Sequence, residues 1–455
     1  MTRSNLFASS ASLALALSGG NAWAQSSSAD IEELKRQVKA LQEQVETLKE
    51  GPKADPETEA LLSERFFKGK GLTIGFYGEA KYRVPESGGH SFDPHRFVLA
   101  PTYQINDWLI FNSEFELEHG GVDEAGANRR SRFGGELELE QMYVDMLLNE
   151  HFNIRSLGID LVPVGRINKY HEPTVFYSTE RPELYREIVP TTWMEPSFGF
   201  FGKIVEGLSY QVMISAGLED FDPGSTTGTP AGPTSGINAT GGFRDARPAL
   251  RPSDVNTLAY TGRINYRGVP GLDASTSAYV TQVEGIGGDS LVALWDIEAL
   301  YRVPRTGLEL RADLAYWHIE DPEHLVANQN NNPTSAPGGA AILNDDVGGR
   351  MYGWYVEAAY HFWPEAWRDG RARDMDLVPF VRYSQIHTQS DLLPGAARRT
   401  DGTANRDFIT AGLAYFLNAN FVVKADYRHN LDGTAASALS AASQDYFQLG
   451  AGVSF

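Results

Sequence analysis

The sequence contains no cysteine, which excludes disulfide bonds and metal sites built from thiolates. Basic residues are also scarce: 39 Lys and Arg stand against 59 Asp and Glu, for a net charge of -20. An acidic chain of this kind is a poor partner for nucleic acid. The mean hydropathy of -0.32 is too low for a helical membrane protein. It is compatible with a β-barrel, in which only every second strand residue faces lipid.

Sequence motifs of the common enzyme classes are absent too. The chain has no G-x-S-x-G, no H-E-x-x-H and no G-x-x-x-x-G-K segment, so hydrolase, zinc-protease and P-loop interpretations lack support. The ten histidines are scattered. The pairs that lie beside acidic residues, His90 with His95 and His318 with His324, fall in predicted loops, where solvated side chains are the norm. We expect no catalytic residues, no cofactor and no metal site.

The amino terminus has the features of a secretory signal peptide. Arg3 precedes an apolar run from Leu6 to Leu17, and Ala22-Trp23-Ala24 forms an A-x-A cleavage site. The apolar run is shorter than the about 18 to 20 residues that a membrane-spanning helix needs. We therefore predict that residues 1–24 are a signal peptide and that the protein is exported.

From Leu72 to the carboxyl terminus, apolar residues follow period two, which is the period of β-strands. Over the last ten residues apolar side chains alternate with Gln, Gly and Ser, and the chain ends on Phe455. In the segment 308–316, charged residues occupy alternate positions, so one face of that strand needs water and the other faces lipid or core. We predict an all-β fold, a transmembrane antiparallel β-barrel of about sixteen strands over residues 72–455.

The predicted strands are separated by connections that alternate in length. The strands cover 72–83, 95–104, 108–118, 137–147, 155–167, 197–204, 208–218, 257–267, 272–282, 291–302, 307–318, 352–362, 377–386, 407–416, 421–429 and 445–455. Because bacterial barrels have short periplasmic turns and long outer loops, we place both chain ends in the periplasm. This makes 363–376 an unusually long periplasmic turn. The patterns of strands 155–167 and 197–204 are the weakest, and Pro163 interrupts the first.

A heptad pattern lies between the predicted signal peptide and the predicted barrel. Apolar residues spaced alternately by three and four positions form the a/d seam of a short coiled coil. They are Ile31, Leu34, Val38, Leu41, Val45 and Leu48. We predict a periplasmic coiled-coil segment over 25–56 and a linker over 57–71. An amphipathic helix packed on its own barrel is the alternative.

A barrel of sixteen strands encloses a channel that its wall side chains cannot fill, so selectivity requires a loop folded inward. The third long connection, between the fifth and sixth strands, carries charges of both signs. We predict a pore constriction that contains Lys169, Glu172, Glu180, Arg181, Glu183, Arg186 and Glu187. The predicted lumen wall carries Arg166, Arg263, Arg311, Arg382, Lys424 and Arg428. The alternatives are a solvated outer loop and, for most of the wall charges, cross-strand ion pairs.

The export signal, the short coiled coil, the sixteen-strand pattern, the segment Phe380-Val381-Arg382-Tyr383-Ser384 and the final Phe455 together resemble the phosphate-selective porin O and P family of outer-membrane porins. The resemblance implies a homotrimeric channel in which lumen arginines, here Arg166, Arg311 and Arg382, and lysines of the constriction loop conduct anions such as phosphate. This chain departs from the family in its acidic excess and in having only Lys169 and Lys203 near the predicted constriction.

We therefore predict a porin in the outer membrane of a Gram-negative bacterium, surrounded by lipid and lipopolysaccharide. It would let small hydrophilic solutes or ions diffuse passively, and it would need no catalytic residue. Two other functions stay open. One is a barrel that anchors or scaffolds the cell envelope through its coiled coil, and the other is an outer-membrane barrel hydrolase.

Overall fold

Sixteen antiparallel strands close into a β-barrel in the computed structural model of the chain. The structure describes residues 71–121, 135–218, 237, 239, 241–248, 257–285, 288–325, 348–392, 404–431 and 444–455. Each strand pairs with its neighbours in chain order, and the first strand pairs with the last to close the cylinder. The predicted signal peptide, coiled coil and linker lie outside the described residues.

The strands are nine to fifteen residues long, which is enough to cross the hydrocarbon layer of a membrane at a tilt. They are Leu72–Pro85 (β1), Ser91–Gln104 (β2), Leu109–Glu118 (β3), Leu137–Met146 (β4), Asn153–Leu161 (β5), Met194–Val205 (β6), Leu208–Ala216 (β7), Leu258–Tyr266 (β8), Leu272–Gly285 (β9), Gly288–Arg302 (β10), Leu308–Ile319 (β11), Arg350–Tyr360 (β12), Asp376–Ser390 (β13), Asn405–Asn418 (β14), Phe421–Asn430 (β15) and Tyr446–Ser454 (β16).

Helical segments are short and lie in the connections. Two four-residue helices, Arg166–Lys169 (α1) and Leu184–Glu187 (α2), lie between β5 and β6. Three-residue 3-10 turns cover Arg244–Ala246, Glu365–Trp367 and Gly370–Ala372. Among the residues that the structure describes, no helix has the length and the apolar character to span a membrane.

The predicted sixteen-strand fold is confirmed, and every predicted strand overlaps an observed one. Strand β11 illustrates the physical basis of the pattern. Glu309, Arg311 and Asp313 are buried inside the barrel, whereas Leu310 is exposed on the outside. Alternation of this kind specifies which face of each strand turns inward, because a shift by one residue would place charges in lipid.

The end of the fifth strand was predicted wrongly. The prediction extended it to residue 167, but β5 ends at Leu161. Pro163 has no N–H to donate to a neighbouring strand, and Gly165 has φ of 73°, a left-handed conformation that glycine adopts without strain. The chain therefore turns into the barrel at this point. Arg166, predicted on a wall strand, instead begins α1.

Most connections sort by length onto the two ends of the barrel, although the two-residue connection 286–287 lies at the same end as the long ones. We call the end with the connections 105–108, 206–207 and 419–420 the short-turn end, and the opposite one the long-loop end. The 361–375 connection lies at the short-turn end, as predicted, and is compact because Trp363 donates its indole N–H to the carbonyl of Ala372 at 2.9 Å. The long-loop end carries the 162–193 connection.

The final phenylalanine closes the barrel. The Phe455 and Phe76 backbones exchange hydrogen bonds at 2.8 and 3.0 Å, and their rings stack with centroids 4.9 Å apart. Phe455 is largely exposed on the outer surface. An aromatic residue at this place joins the last strand to the first at the short-turn end, where amphipathic rings suit a membrane interface.

Candidate functional site

Residues 162–193, which we call the inward loop, fold into the barrel and reach across its interior. On one side, the ammonium of Lys169 donates to Gln211 of β7 at 2.7 Å. On the other, the backbone N–H of Thr179 donates to Asp426 of β15 at 2.6 Å. Strands β7 and β15 are eight positions apart in the ring of sixteen. The inward loop therefore spans the full width of the barrel.

One half of the interior is apolar. Leu184, Ile188 and Trp193 of the inward loop pack against inward-facing residues of β9, β11, β12 and β13, among them Tyr279, Trp317, Met351 and Ile386. The indole N–H of Trp317 donates to the carbonyl of Ile188 at 2.6 Å, and its ring stacks on Phe243 at 3.6 Å. This half is packed with buried apolar side chains.

The other half is polar and holds the tip of the inward loop. Glu180 accepts hydrogen bonds from Lys81 at 2.9 Å and from Arg83 at 2.7 Å, both on β1. Glu183 lies 3.5 Å from the guanidinium of Arg382 and accepts a hydrogen bond from Ser384 at 2.8 Å. Burial alone would raise the pKa of Glu180, but Lys81 and Arg83 outweigh it and hold that pKa well below its usual range. Glu180 is thus ionised at neutral pH.

A cavity of about 390 Å³ lies beside this tip, among β1, β2, β14, β15, β16 and the inward loop. Eight of the described residues that line it are cationic, among them Lys81, Arg83, Arg96, Arg181, Arg406 and Arg428, and five carry carboxylates. The excess of positive charge is local, because the chain as a whole is acidic.

Two arginines of the cavity have guanidinium nitrogens with no hydrogen-bond partner among the described residues. They are Nη2 of Arg181, and Nε and Nη2 of Arg406. Burial and the nearby Arg96 lower the pKa of Arg181 to about 10, so it is still charged at neutral pH. Buried N–H donors without acceptors are costly. Anions or water in the cavity would supply the missing acceptors.

The predicted constriction residues all lie on the inward loop, but they differ in position and in contacts. Lys169 contacts the wall, and Glu180, Arg181, Glu183, Arg186 and Glu187 line the cavity. Glu172 is half-buried and does not line the cavity. Glu187 lies 3.2 Å from Arg406, and Arg186, which is mostly exposed, lies 3.7 Å from Glu187.

The predicted wall cations on strands point inward and are buried. Arg263 pairs with Glu298, Arg311 with Glu309 at 2.6 Å, and Arg382 with Glu357 at 3.1 Å. Lys424 donates to the carbonyl of Ser178 at 2.9 Å, and Arg428 lines the cavity. Arg166 is the exception: it lies on α1 rather than on a strand, and it pairs with Asp273 of the wall.

Sequence reasoning left several cavity residues out of the candidate site. Lys81, Arg83 and Arg96 occupy inward positions of β1 and β2, and Arg406 occupies one on β14. Period-two alternation was the signal that could have found Lys81 and Arg83, because each lies between apolar, outward-facing neighbours; Arg406 lies between Asn405 and Asp407 and has no such signal. Arg244 comes from the connection between β7 and β8, and no sequence pattern pointed to it.

The apolar half of the interior was missed as well. Its signal lay in β11, where Ala315, Trp317 and Ile319 follow the inward charges on the same face. Both faces of the strand are apolar over this stretch, which indicates that the interior is packed there rather than wet.

Comparisons with known proteins agree with this architecture. No family model matches the chain. An uncharacterized protein of Aquifex aeolicus is 29% identical over 364 residues, which cover 79% of this chain and 75% of that protein. The structure of Salmonella typhi OmpF in complex with daunomycin has a TM-score of 0.51 and 15% identity, and covers 85% of this chain and 98% of OmpF. The outer membrane channel DcaP of Acinetobacter baumannii has a TM-score of 0.49 and 14% identity, over 86% and 99% of the two chains. The likeness to OmpF shows that the chain has the fold of an outer-membrane porin.

Proposed function

We propose that the protein is a passive outer-membrane channel for small hydrophilic solutes, and that it passes anions such as phosphate more readily than cations. The observation that carries the proposal is the cavity beside the tip of the inward loop, with eight cationic side chains against five carboxylates. Solutes that cross the barrel would pass this region, because buried apolar side chains pack in the opposite half of the interior.

The charges around the cavity are held in fixed positions. Lys81 and Arg83 are bonded to Glu180, and Arg96 donates to Glu79 at 2.8 Å. Arg181 and Arg406 keep free N–H groups, which suit the oxygen atoms of a phosphate or carboxylate. Rigid donors that need no rearrangement cost little free energy when an anion binds.

The proposal extends to assembly and orientation. The signal peptide 1–24 would be removed on export, the coiled coil 25–56 would lie in the periplasm, and the barrels would form a homotrimer. The short-turn end would face the periplasm. The first strand begins and the last strand ends at the short-turn end, which supports this orientation.

Single-channel recording in a planar bilayer tests the proposal. A reversal potential measured in a KCl gradient should give an anion-to-cation permeability ratio above one. Replacement of both arginines, Arg181→Gln with Arg406→Gln, should lower that ratio severalfold, because two positive charges leave the cavity. Arg371→Gln is the matched control, since Arg371 lies on an exposed turn at the short-turn end.

The outcomes separate the two parts of the proposal. A bilayer that stays electrically silent with folded protein would overturn the channel function. A conducting channel that prefers cations, or a double variant with the wild-type ratio, would overturn the anion preference and leave the channel standing.

A further inference from the structure

Three buried ligand-type side chains meet on the wall side of the inward loop, outside the cavity. Glu114 of β3, Glu140 of β4 and His171 of the inward loop place one oxygen or nitrogen atom each within 4.8 Å of one another. Nε2 of His171 lies 3.9 Å from Glu114 and 3.9 Å from Glu140. Glu140 is 0% exposed, His171 3% and Glu114 8%. The cluster is therefore shielded from bulk water.

The imidazole of His171 is oriented as a ligand. Its Nδ1 lies 3.0 Å from the carbonyl oxygen of Asn168, which can only accept, so Nδ1 carries the proton. Nε2 then has a free lone pair, and that lone pair is directed at the two carboxylates. Histidines that bind metal ions usually donate their other N–H to a carbonyl or carboxylate in this way.

Glu114 accepts a hydrogen bond from the side-chain amide of Gln141, but Glu140 has no donor in the part of the chain that the structure describes. Neither oxygen of Glu140 has a hydrogen-bond partner among the described residues, and Nε2 of His171 has none either. Glu116 lies beside Glu140 and also has a bare oxygen. The nearest cation, Arg96, donates to Glu79 and to the carbonyl of His171, both at 2.8 Å. Buried negative charge in this arrangement is strongly unfavourable without a counter-ion.

Two other acidic clusters have donors for each of their carboxylates. In Asp296, Glu298 and Asp313, hydrogen bonds come from Arg263, from Tyr185 and from serine hydroxyls, although Oδ2 of Asp296 and Oδ1 of Asp313 have no partner among the described residues. Asp93, His95 and His119 bond to one another on a more exposed surface. Glu140, with two bare oxygens, lies beside the bare imidazole nitrogen of His171, and Glu114 completes the group.

We propose that Glu114, Glu140 and Nε2 of His171 bind a divalent cation of the Zn²⁺ or Mn²⁺ class. One imidazole with two carboxylates suits these ions. Ligand atoms at about 2.1 Å from a tetrahedral ion are about 3.4 Å apart. The 3.9 Å separations therefore need to shrink by about 0.5 Å, which follows from these ligand distances. The ion would join the inward loop to β3 and β4, and would fix the loop at that wall.

Metal counting on the folded full-length protein tests this site. Detergent-solubilised protein is stripped with a chelator, incubated with Zn²⁺ or Mn²⁺, desalted and measured by mass spectrometry of the metal. A second sample is refolded in the presence of each ion, in case the buried site loads only as the loop docks. We expect one ion per chain, and at least about a tenfold loss of affinity in Glu140→Gln and in His171→Gln.

Two controls make the result specific. His95→Gln with His119→Gln removes the exposed cluster and should leave the tightly held ion in place. Heat-modifiable gel mobility shows whether each variant still forms the barrel. The proposal is wrong if folded wild-type protein retains no ion by either route, or if the His171→Gln and Glu140→Gln barrels retain as much as the wild type.

Discussion

The carboxylate of Glu180 accepts a hydrogen bond from the ammonium of Lys81 at 2.9 Å, and this ion pair joins residues that are 99 positions apart in the chain. It holds the tip of the inward loop against the first strand of the barrel. Arg83 reinforces the same carboxylate at 2.7 Å. The contact has both a structural and an electrostatic consequence, because it also reduces the positive charge that faces the cavity.

Glu180→Gln should make the channel more anion-selective. The substitution removes one negative charge from the cavity lining and leaves Lys81 and Arg83 without their ionic partner. We expect a severalfold rise in the anion-to-cation permeability ratio, measured from reversal potentials. Glu365→Gln, on an exposed turn at the short-turn end, serves as control and should not change it. An unchanged ratio in Glu180→Gln would show that solutes do not pass this tip.

The same carboxylate predicts a pH dependence. The pKa of Glu180 in the folded protein is lower than that of an unfolded glutamate, about 4.3. Its contribution to loop docking is therefore complete above pH 4.3 and is lost as the pH falls through the lower folded value. Docking of the loop therefore weakens as the pH falls below about 4.3, so cleavage within 162–193 by an acid-active protease should rise between pH 5 and pH 3 more in the wild type than in Glu180→Gln. Identical profiles would contradict the assignment.

Trp317→Ala should release the inward loop without opening the barrel. The indole is fully buried and packs against Phe243, and its loss would cost about 3–5 kcal/mol. The strands keep their lipid-facing residues, so we expect normal heat-modifiable mobility together with faster proteolytic cleavage within 162–193. Trp367→Ala, which alters an exposed turn, should be cleaved within 162–193 at the wild-type rate. Loss of the barrel in Trp317→Ala would mean that the apolar half is needed for strand assembly.

Arg155→Ala should destabilise the barrel wall. Arg155 of β5 is buried and donates to Asp145 and to Asp160, each at 2.8 Å. Removal of one member of a buried ion pair typically costs about 3–5 kcal/mol, whereas a surface pair contributes about 0–1 kcal/mol. The midpoint of urea unfolding in detergent should therefore be lower for Arg155→Ala than for Arg368→Ala. The ion pair of Arg368 with Glu365, at 3.7 Å, is on the surface. Equal midpoints for the two variants would refute the prediction.

The position of the inward loop can be tested by a disulfide. Oγ1 of Thr174 lies 2.8 Å from Oγ of Ser454, so cysteines at these two positions should be close enough to oxidise. The chain itself has no cysteine. Within one chain, the double variant Thr174→Cys with Ser454→Cys can therefore form only this disulfide. Mass spectrometry of cleaved protein should find residue 174 linked to residue 454, and each single variant should stay unlinked. Failure to link under oxidant would place the loop elsewhere.

Most of the barrel could be predicted from the sequence because consecutive residues of a strand face lipid and the barrel interior alternately. Leu310 and Arg311 are neighbours with opposite environments, so the pattern specifies the strand and its facing. The end of β5 was not predictable in the same way, because the chain leaves the wall at Pro163 while its side chains stay mostly apolar. Apolar character alone does not tell a lipid-facing residue from one packed inside.

The site was harder to predict than the fold. Its ion pairs join strands that are distant in sequence, as Lys81 with Glu180 and Arg406 with Glu187 show. Period two indicates that such side chains face inward, but it carries no information about which of them meet. The cluster of Glu114, Glu140 and His171 depends in addition on the path of the inward loop, which has no periodic signal.

The inward loop reaches from β7 to β15 and is bonded at both ends of that span. A hollow cylinder of sixteen strands can flatten into an ellipse when lipids press on it unevenly. A cylinder with a loop bonded across its diameter resists this deformation. We expect this barrel to keep a round cross-section, and hence a constant unit conductance, in bilayers of different thickness and lateral tension.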